Sequence, residues 1–314
     1  MFHLYIEVHS YPSPLISTMS DHTLPSNQNP PLMIATKYLT INHVTKTGVR
    51  IHIPKKTLTS TGQKKLPLIV YFYGSGFVTS KTASTHSHMF CDQLAAHLPC
   101  VVVNVDYRLA PEHRLPAAYD DGVEALHWVK STHDPWLTNF VDFSNCHLMG
   151  TSAGANLAYH AGLRVSKQLI NLDPFILYYL TGLILSSPFL GGMGRTESEV
   201  RLGAGAWSGN FTLSVSDAMW DLALPVDASR DHEYCNPMMG DMGRIKDVGW
   251  RVMVTGRYSD FLIDREMEFA KTLEAKGVEC KCFYGEGGHA VEYVDKSKAE
   301  ELFEEISSFM SSNT

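Results

Sequence analysis

Five residues constrain this chain more than any others: Gly150-Thr151-Ser152-Ala153-Gly154, a Gly-x-Ser-x-Gly stretch. It follows the strand-like residues His147-Leu148-Met149 and opens the helical run Ala155-Asn156-Leu157-Ala158-Tyr159-His160. Between a strand and a helix, the two glycines permit a sharp, strained turn that lifts the serine oxygen above the end of a sheet. Ser152 is therefore the candidate nucleophile. Taken alone, the pentapeptide also reads as an ordinary Gly-rich turn, so the decision rests with the rest of the chain.

That remainder alternates strand and helix patterns. Lys37–Asn42 and Val49–Ile53 alternate in strand fashion, with Pro54 ending the second, and read as an antiparallel edge. Leu68–Phe72 and Cys100–Val105 are short apolar runs of the buried-strand kind, separated by a helical stretch from about His88 to Leu98. A helix over Ala117–Lys130, the strand and helix around Ser152, and the strand Leu183–Leu185 follow. After a lapse from Pro188 to Pro237 come the strand Arg251–Thr255, a helix from Ile263 to Lys276 ended by Gly277, and the strand Glu279–Tyr284. The last helix spaces Ala299, Leu302, Ile306 and Phe309 by three and four residues. Such alternation predicts an α/β fold, a mostly parallel central sheet flanked by helices. The lapse, rich in Gly, Ser and Arg around Trp207, Phe211, Met219 and Trp220, predicts a lid over the sheet. Residues 1–34, with Pro25-Ser26-Asn27-Gln28-Asn29-Pro30-Pro31, read as an arm, and Met19 is a second possible start beside Met1.

Composition narrows the function classes. With 314 residues, 44% hydrophobic and 19% charged, the chain can bury a sizeable core. A net charge of −7 without a basic run argues against a nucleic-acid or anionic-membrane surface. Cys91, Cys100, Cys146, Cys235, Cys280 and Cys282 lie scattered in apolar segments, which predicts reduced, mostly buried thiols rather than a disulfide framework or zinc site. No basic leader with an apolar core opens the chain and no run of about 18 apolar residues occurs, so a cytoplasmic protein is expected.

Serine is a poor nucleophile at its free pKa and needs a base, which in turn needs an acid to orient it. Two loops after the last strands offer these groups. Asp260 falls in the loop leaving Val254-Thr255, whereas Asp264 falls where the next helix begins and reads as its cap or dipole partner. His289 is presented by Gly285-Glu286-Gly287-Gly288, where three glycines in five residues allow a tight loop. An oxyanion hole would come from Tyr73-Gly74-Ser75-Gly76 after the early strand, through the N–H groups of Gly74 and Ser75, with that of Ala153.

On these residues, together with Asp106-Tyr107-Arg108-Leu109-Ala110-Pro111-Glu112-His113, Leu115-Pro116-Ala117-Ala118-Tyr119-Asp120-Asp121, Asp134-Pro135-Trp136-Leu137, Ser187-Pro188 and Asn236-Pro237, the chain resembles the plant carboxylesterases of the hormone-sensitive-lipase-like branch of the α/β-hydrolases. The resemblance covers the chain from about residue 37 to its end. It implies a single α/β-hydrolase domain over 35–314, with a helical cap built from the arm and an insertion at about 190–235. It also implies Ser152, Asp260 and His289 as a triad, structural roles for His113 and the Asp120-Asp121 pair, no cofactor and no metal. The expected partner is a small-molecule substrate and the expected assembly a monomer or homodimer. Tyr73, Gly76, Phe77 and Thr151 near the turn, and Trp207, Phe211 and Trp220 in the lid, are the expected substrate-binding residues.

Two departures from the family pattern stand out. Tyr73-Gly74-Ser75-Gly76 replaces His-Gly-Gly-Gly, and Gly150-Thr151-Ser152 replaces the frequent Gly-Asp-Ser. The expected function is a serine carboxylesterase acting on a small, fairly apolar plant metabolite through an acyl-enzyme. Two alternatives stay open. One is a retasked enzyme of specialised metabolism, similar to alkaloid cyclases, that guides cyclisation, ester loss or decarboxylation. The other is a non-catalytic receptor, against which retention of His289 argues.

Overall fold

The computed structural model describes residues 33–60, 62, 64–79, 85–168, 180–204 and 211–311. Its eight strands are β1 (Ile34–Thr40), β2 (Gly48–Pro54), β3 (Leu66–Phe72), β4 (Val101–Asp106), β5 (Val141–Thr151), β6 (Leu180–Ser186), β7 (Arg251–Arg257) and β8 (Cys280–Gly285). They form one sheet in the order β1-β2-β4-β3-β5-β6-β7-β8. β1 pairs antiparallel with β2, and β2 with β4; every pair from β4 to β8 is parallel. The antiparallel edge expected from the alternating segments is this β1–β2 pair, whose outer strand buries every second residue only in part.

The central strands read as continuous apolar runs because helices cover both faces. From Val101 to Val105 β4 is wholly buried, and β3 is so from Leu68 onward. Packed on the sheet are α1 (Lys55–Thr59), α2 (Thr85–His97), α3 (Ala117–Ser131), α4 (Pro135–Phe140) and α5 (Ala153–Gln168). α6 (Glu197–Leu202), α7 (Leu213–Ala223), α8 (Arg244–Asp247), α9 (Ile263–Ala275) and α10 (Lys296–Ser311) follow. α10 buries Ala299, Leu302, Ile306 and Phe309, the stripe read from their spacing.

Two elements go beyond the sequence reading. β5 begins six residues before His147, and its first half sets Val141 and Phe143 among Asp142, Ser144 and Asn145; the register shifts between Cys146 and His147, where continuous pairing with β6 starts. The Asp-Pro-Trp-Leu stretch is a capped helix start: Asp134 accepts the Trp136 N–H at 2.9 Å with Pro135 at the first helical position. Lys37 of β1 ion-pairs with Asp134 at 2.5 Å.

β3 has β4 on one side and β5 on the other, so the order reverses here and a crevice opens at the strands' carboxyl ends. Phe72 lies opposite Gly150 in the register, and the loops leaving β3 and β5 therefore emerge side by side. Residues 190–235, between β6 and β7, contain α6 and α7. The N-terminal arm, 1–32, and Trp207 lie outside the described residues. All six cysteines are free: Cys91, Cys100, Cys146 and Cys235 are buried, Cys280 is half-buried and Cys282 is exposed. No described helix is long and apolar enough to cross a membrane.

Candidate active site

Ser152 carries the strain of its turn itself, with φ at 57°, a left-handed backbone that costs a non-glycine residue about 1–3 kcal/mol. Surrounding hydrogen bonds hold it there: its N–H donates to Ser186 O at 2.9 Å and its carbonyl accepts from Ala155, Asn156 and Phe189 at 3.0–3.2 Å. The flanking glycines serve a different need from the backbone freedom expected of them, because neither has a positive φ. A Cβ on Gly150 would lie 2.1 Å from Gly154 O, and one on Gly154 would lie 1.9 Å from Phe72 O. They are required so that helix α5 can pass this close to the ends of β3 and β5.

The loops after β7 and β8 bring the other two groups to Ser152. His289 Nε2 lies 2.8 Å from Ser152 Oγ, and His289 Nδ1 lies 2.6 Å from Asp260 Oδ2. Asp260 Oδ1 accepts the Leu262 N–H at 3.0 Å, so both carboxylate oxygens are engaged. The two loops are pinned to each other by Tyr258 N–H to Gly285 O at 2.9 Å and Ser259 N–H to Gly287 O at 3.0 Å. Burial opposes the imidazolium, yet the charge and hydrogen bond of Asp260, helped by Glu292, outweigh it and raise the His289 pKa above 6.5.

Asp264 does not share this geometry. Nor does it cap its own helix, whose N-cap is Leu262. Its Oδ2 instead accepts the Ser198 N–H of α6 at 2.7 Å, neutralising a first-turn amide of another helix. Beside it, Ser198 Oγ donates to Phe261 O at 2.8 Å, and Glu199 forms a bidentate, buried ion pair with Arg265 at 2.5 and 2.9 Å. The base of the 190–235 segment is thus stapled to the residues just after Asp260.

Behind the relay lies Glu266, fully buried, with neither oxygen hydrogen-bonded. Burial, then the charges of Asp260 and Glu292, push its pKa far up against the pull of Arg257. Among the described residues Asp260, Glu266 and His289 form a group with ligand atoms within 4.8 Å of one another, the only such three-residue cluster able to hold a metal, and two of its members already hold each other. Glu292, also buried, accepts from Ser186 Oγ at 2.7 Å.

The loop after β3 lies against the turn: a Cβ on Gly74 would sit 3.1 Å from Ser152 Cβ. Ser75 does not intrude, because its side chain turns inward. Tyr107 Oη donates to Tyr73 O at 2.7 Å, the Ser75 hydroxyl donates to Tyr107 Oη at 2.8 Å, and Ser75 Oγ accepts the Phe77 N–H at 3.1 Å. Among the described residues the N–H groups of Ser75 and Ala153 have no acceptor, whereas the Gly74 N–H donates to Tyr293 Oη at 3.2 Å. Of the three expected donors, two are free and one is engaged.

Several expected substrate-binding residues face elsewhere. Tyr73 is fully buried and stacked on Tyr107 with centroids 4.5 Å apart, and its hydroxyl has no partner. Burial drives its pKa far up, so it is no proton donor or acceptor near neutrality. Thr151 is buried, its Oγ1 accepting from Tyr71 at 2.9 Å. Phe77 and Trp220 are each 1% exposed and pack together at 5.9 Å, with Trp220 stacked on Phe189 at 4.4 Å, so both are part of the buried core. Large aromatic size signals contact but not which side of a layer it serves.

The ring of Phe211 lies 4.5 Å from that of His289. Gly76, with φ at 57°, touches Met219: a Cβ there would fall 2.1 Å from the Met219 sulfur. Met219, Tyr293 and Glu266 are neighbours of the site that the sequence reading did not single out. Met219 lies in the aromatic-rich lapse already read as a lid, which was the one available signal. Asp121 and Asp120 are engaged structurally, pairing with Arg108 at 2.7 Å and Arg164 at 2.6 Å.

Residues 69–292 match the α/β-hydrolase-fold family. The chain is similar to carboxylesterase 20 of Arabidopsis thaliana, 43% identical over 91% of this chain and 87% of that protein. It is 44% identical to the 3-O-acetylpapaveroxine carboxylesterase CXE2 of Papaver somniferum, over 89% of this chain and 91% of that one. Among solved structures, a hyperthermophilic esterase from the archaeon Pyrobaculum calidifontis superposes with a TM-score of 0.73 at 25% identity, covering 88% of this chain and 85% of that one. The chain therefore belongs to the α/β-hydrolase family, within its plant carboxylesterases, and has the fold and kinship of a carboxylic ester hydrolase.

Proposed function

We propose that this protein hydrolyses a carboxylic ester of a small, fairly apolar plant metabolite through an acyl-enzyme on Ser152. The observation that carries this reading is the continuous hydrogen-bond chain from Ser152 Oγ through His289 to Asp260, at 2.8 and 2.6 Å. Ser152 attacks the ester carbonyl as His289 Nε2 takes its proton; Asp260 holds the imidazole in the tautomer that leaves Nε2 free to accept. The carbonyl oxygen, now negative, receives the N–H groups of Ser75 and Ala153. His289 then returns its proton to the departing alcohol, and water repeats the sequence on the acyl-enzyme to release the acid.

The apolar character of the substrate is argued from Phe211 over the imidazole and Met219 against the oxyanion loop. The poppy relative, named for an O-acetylated substrate, supports a small acyl group such as acetyl. A retasked chemistry in which Tyr73 moves the proton has no support from a phenol stacked in the core.

Hydrolysis of a generic aryl acetate, with labelling by a serine-directed organophosphonate, tests the reading. Ser152→Ala is expected to lower the ester turnover by about 10⁴-fold or more and to abolish labelling. An unchanged rate in that variant would overturn the acyl-enzyme route.

A further inference from the structure

We infer that Tyr293 is a positioning residue for the oxyanion-binding loop, holding the Gly74 amide and, through Tyr71, tying that loop to the residue before Ser152. The inference rests on the acyl-enzyme reading above, since it concerns how that reading's oxyanion donors are aimed.

Three hydroxyls form a chain. Tyr71 Oη donates to Thr151 Oγ1 at 2.9 Å, and the Tyr71 and Tyr293 hydroxyls are 2.6 Å apart. With the Tyr71 proton committed to Thr151, Tyr293 must donate to Tyr71, which leaves the Tyr293 oxygen to accept the Gly74 N–H at 3.2 Å. The chain runs in one direction, from Gly74 through Tyr293 and Tyr71 to Thr151. Its members come from β3, the end of β5 and the 3₁₀ turn Val291–Tyr293, whose Tyr293 is four residues beyond His289. One short relay of hydroxyls therefore touches the loop that aims the donors, the turn that carries the nucleophile and the loop that carries the base.

Its parts are held rigidly. Tyr71 is fully buried, and the Tyr293 ring meets Phe90 edge-on at 5.2 Å and 86°. Burial also pushes the Tyr293 hydroxyl up to about 12, so it keeps its proton across the neutral range and the direction of the chain does not reverse. On the other flank of the loop, Tyr107 grips Tyr73 O and the Ser75 side chain. The loop is clamped between two tyrosine hydroxyls, and the Tyr73 phenol contributes no hydrogen bond to either. Because Tyr293 occupies the Gly74 N–H, the donors presented to an oxyanion are those of Ser75 and Ala153. The role of the clamp is to fix the peptide planes that point them.

The test compares wild type with Tyr293→Phe and Tyr71→Phe, counting active sites with a fluorescent organophosphonate and measuring aryl-acetate turnover per titrated site. In Tyr293→Phe, labelling of Ser152 is expected to persist while kcat per site falls about tenfold or more, with KM within about twofold and the acid limb of the pH profile unmoved. Tyr71→Phe, which keeps the Tyr293–Gly74 bond but cuts its tie to Thr151, is expected to show a smaller fall of the same kind. A purely structural role would instead reduce the titratable fraction and leave kcat per site unchanged. An unchanged kcat per site in Tyr293→Phe overturns the inference. A raised one does so too, since it would make the Gly74 N–H a donor that Tyr293 withholds. Should Tyr293→Phe not fold, an unchanged kcat per site in Tyr71→Phe overturns it equally. Absence of labelling and turnover in the wild type would instead sink the acyl-enzyme reading itself.

Discussion

Glu199→Ala is the sharpest perturbation of the segment between β6 and β7. Glu199 and Arg265 are 2% and 4% exposed, joined by bonds of 2.5 and 2.9 Å, and Arg265 Nη2 also donates to Gly194 O at 2.5 Å. Removing the carboxylate leaves a buried guanidinium with one carbonyl, and breaking a desolvated pair in this way costs about 3–5 kcal/mol. Against a total stability of roughly 5–15 kcal/mol this is a large fraction. At about 2–4 °C per kcal/mol for a large domain, Tm should fall by about 6–20 °C. Urea unfolding followed by circular dichroism gives the free energy, and ester turnover along the same titration shows whether the segment detaches first. Activity should be lost at lower urea than ellipticity in the variant, because Ser198 and Glu199 grip the residues just after Asp260. The double variant Glu199→Met/Arg265→Met removes both charges and should recover most of the loss, short of the bonds to Gly194 O and to the Thr196 N–H, which Glu199 accepts at 3.0 Å. A single-variant cost below about 1 kcal/mol would refute the argument, since a pair worth so little is a solvated one.

Two further predictions concern protons. The acid limb of kcat/KM should be centred above pH 6.5, because His289 must be neutral to accept the serine proton and Asp260 raises its pKa despite burial. A limb at or below 6.5 contradicts this; by the same linkage, the stability that His289 contributes is complete below pH 6.5 and is lost as pH rises through its folded value. Glu266 has the opposite balance for a carboxyl, its pKa raised by burial and by Asp260 and Glu292, so it costs stability as pH rises above its unfolded value of 4.5. That cost grows by about 1.4 kcal/mol per pH unit while the carboxyl stays protonated in the fold. Glu266→Gln lacks this dependence, so urea unfolding across pH 4 to 7 should show the variant gaining on wild type with rising pH, and a constant difference would refute the protonated carboxyl.

The sheet and the relay were legible in the sequence because each has a local signature. Buried parallel strands are continuous apolar runs, and Asp260 and His289 each follow one in a loop, in the order Ser152 requires. What escaped was information carried by no single stretch. The first half of β5 sets only Val141 and Phe143 among Asp142, Ser144 and Asn145, an alternation too short to mark a strand. Arg265 and Glu266 look like the solvated face of α9, but both are buried, one by Glu199 from α6 and the other by the crowd behind Asp260. Thr151 and Trp220 are of types suited to binding, yet Tyr71 and Phe189 claim them. The Tyr71–Tyr293 chain joins positions 222 residues apart, a distance over which sequence pattern is silent.

The crowding around the two glycines of the turn also bears on how proteins of this shape change over time. Any side chain at Gly150 or Gly154 would meet backbone atoms about 2 Å away, atoms that no rotamer change can move aside. At Gly194, at the entrance to the 190–235 segment, a Cβ would meet nothing within 4 Å. Within the same segment Gly203 is fenced in as tightly, a Cβ there falling 2.3 Å from Glu199 O, so replacement is barred both at the turn that carries the nucleophile and at the end of α6, and is admitted at Gly194 between them.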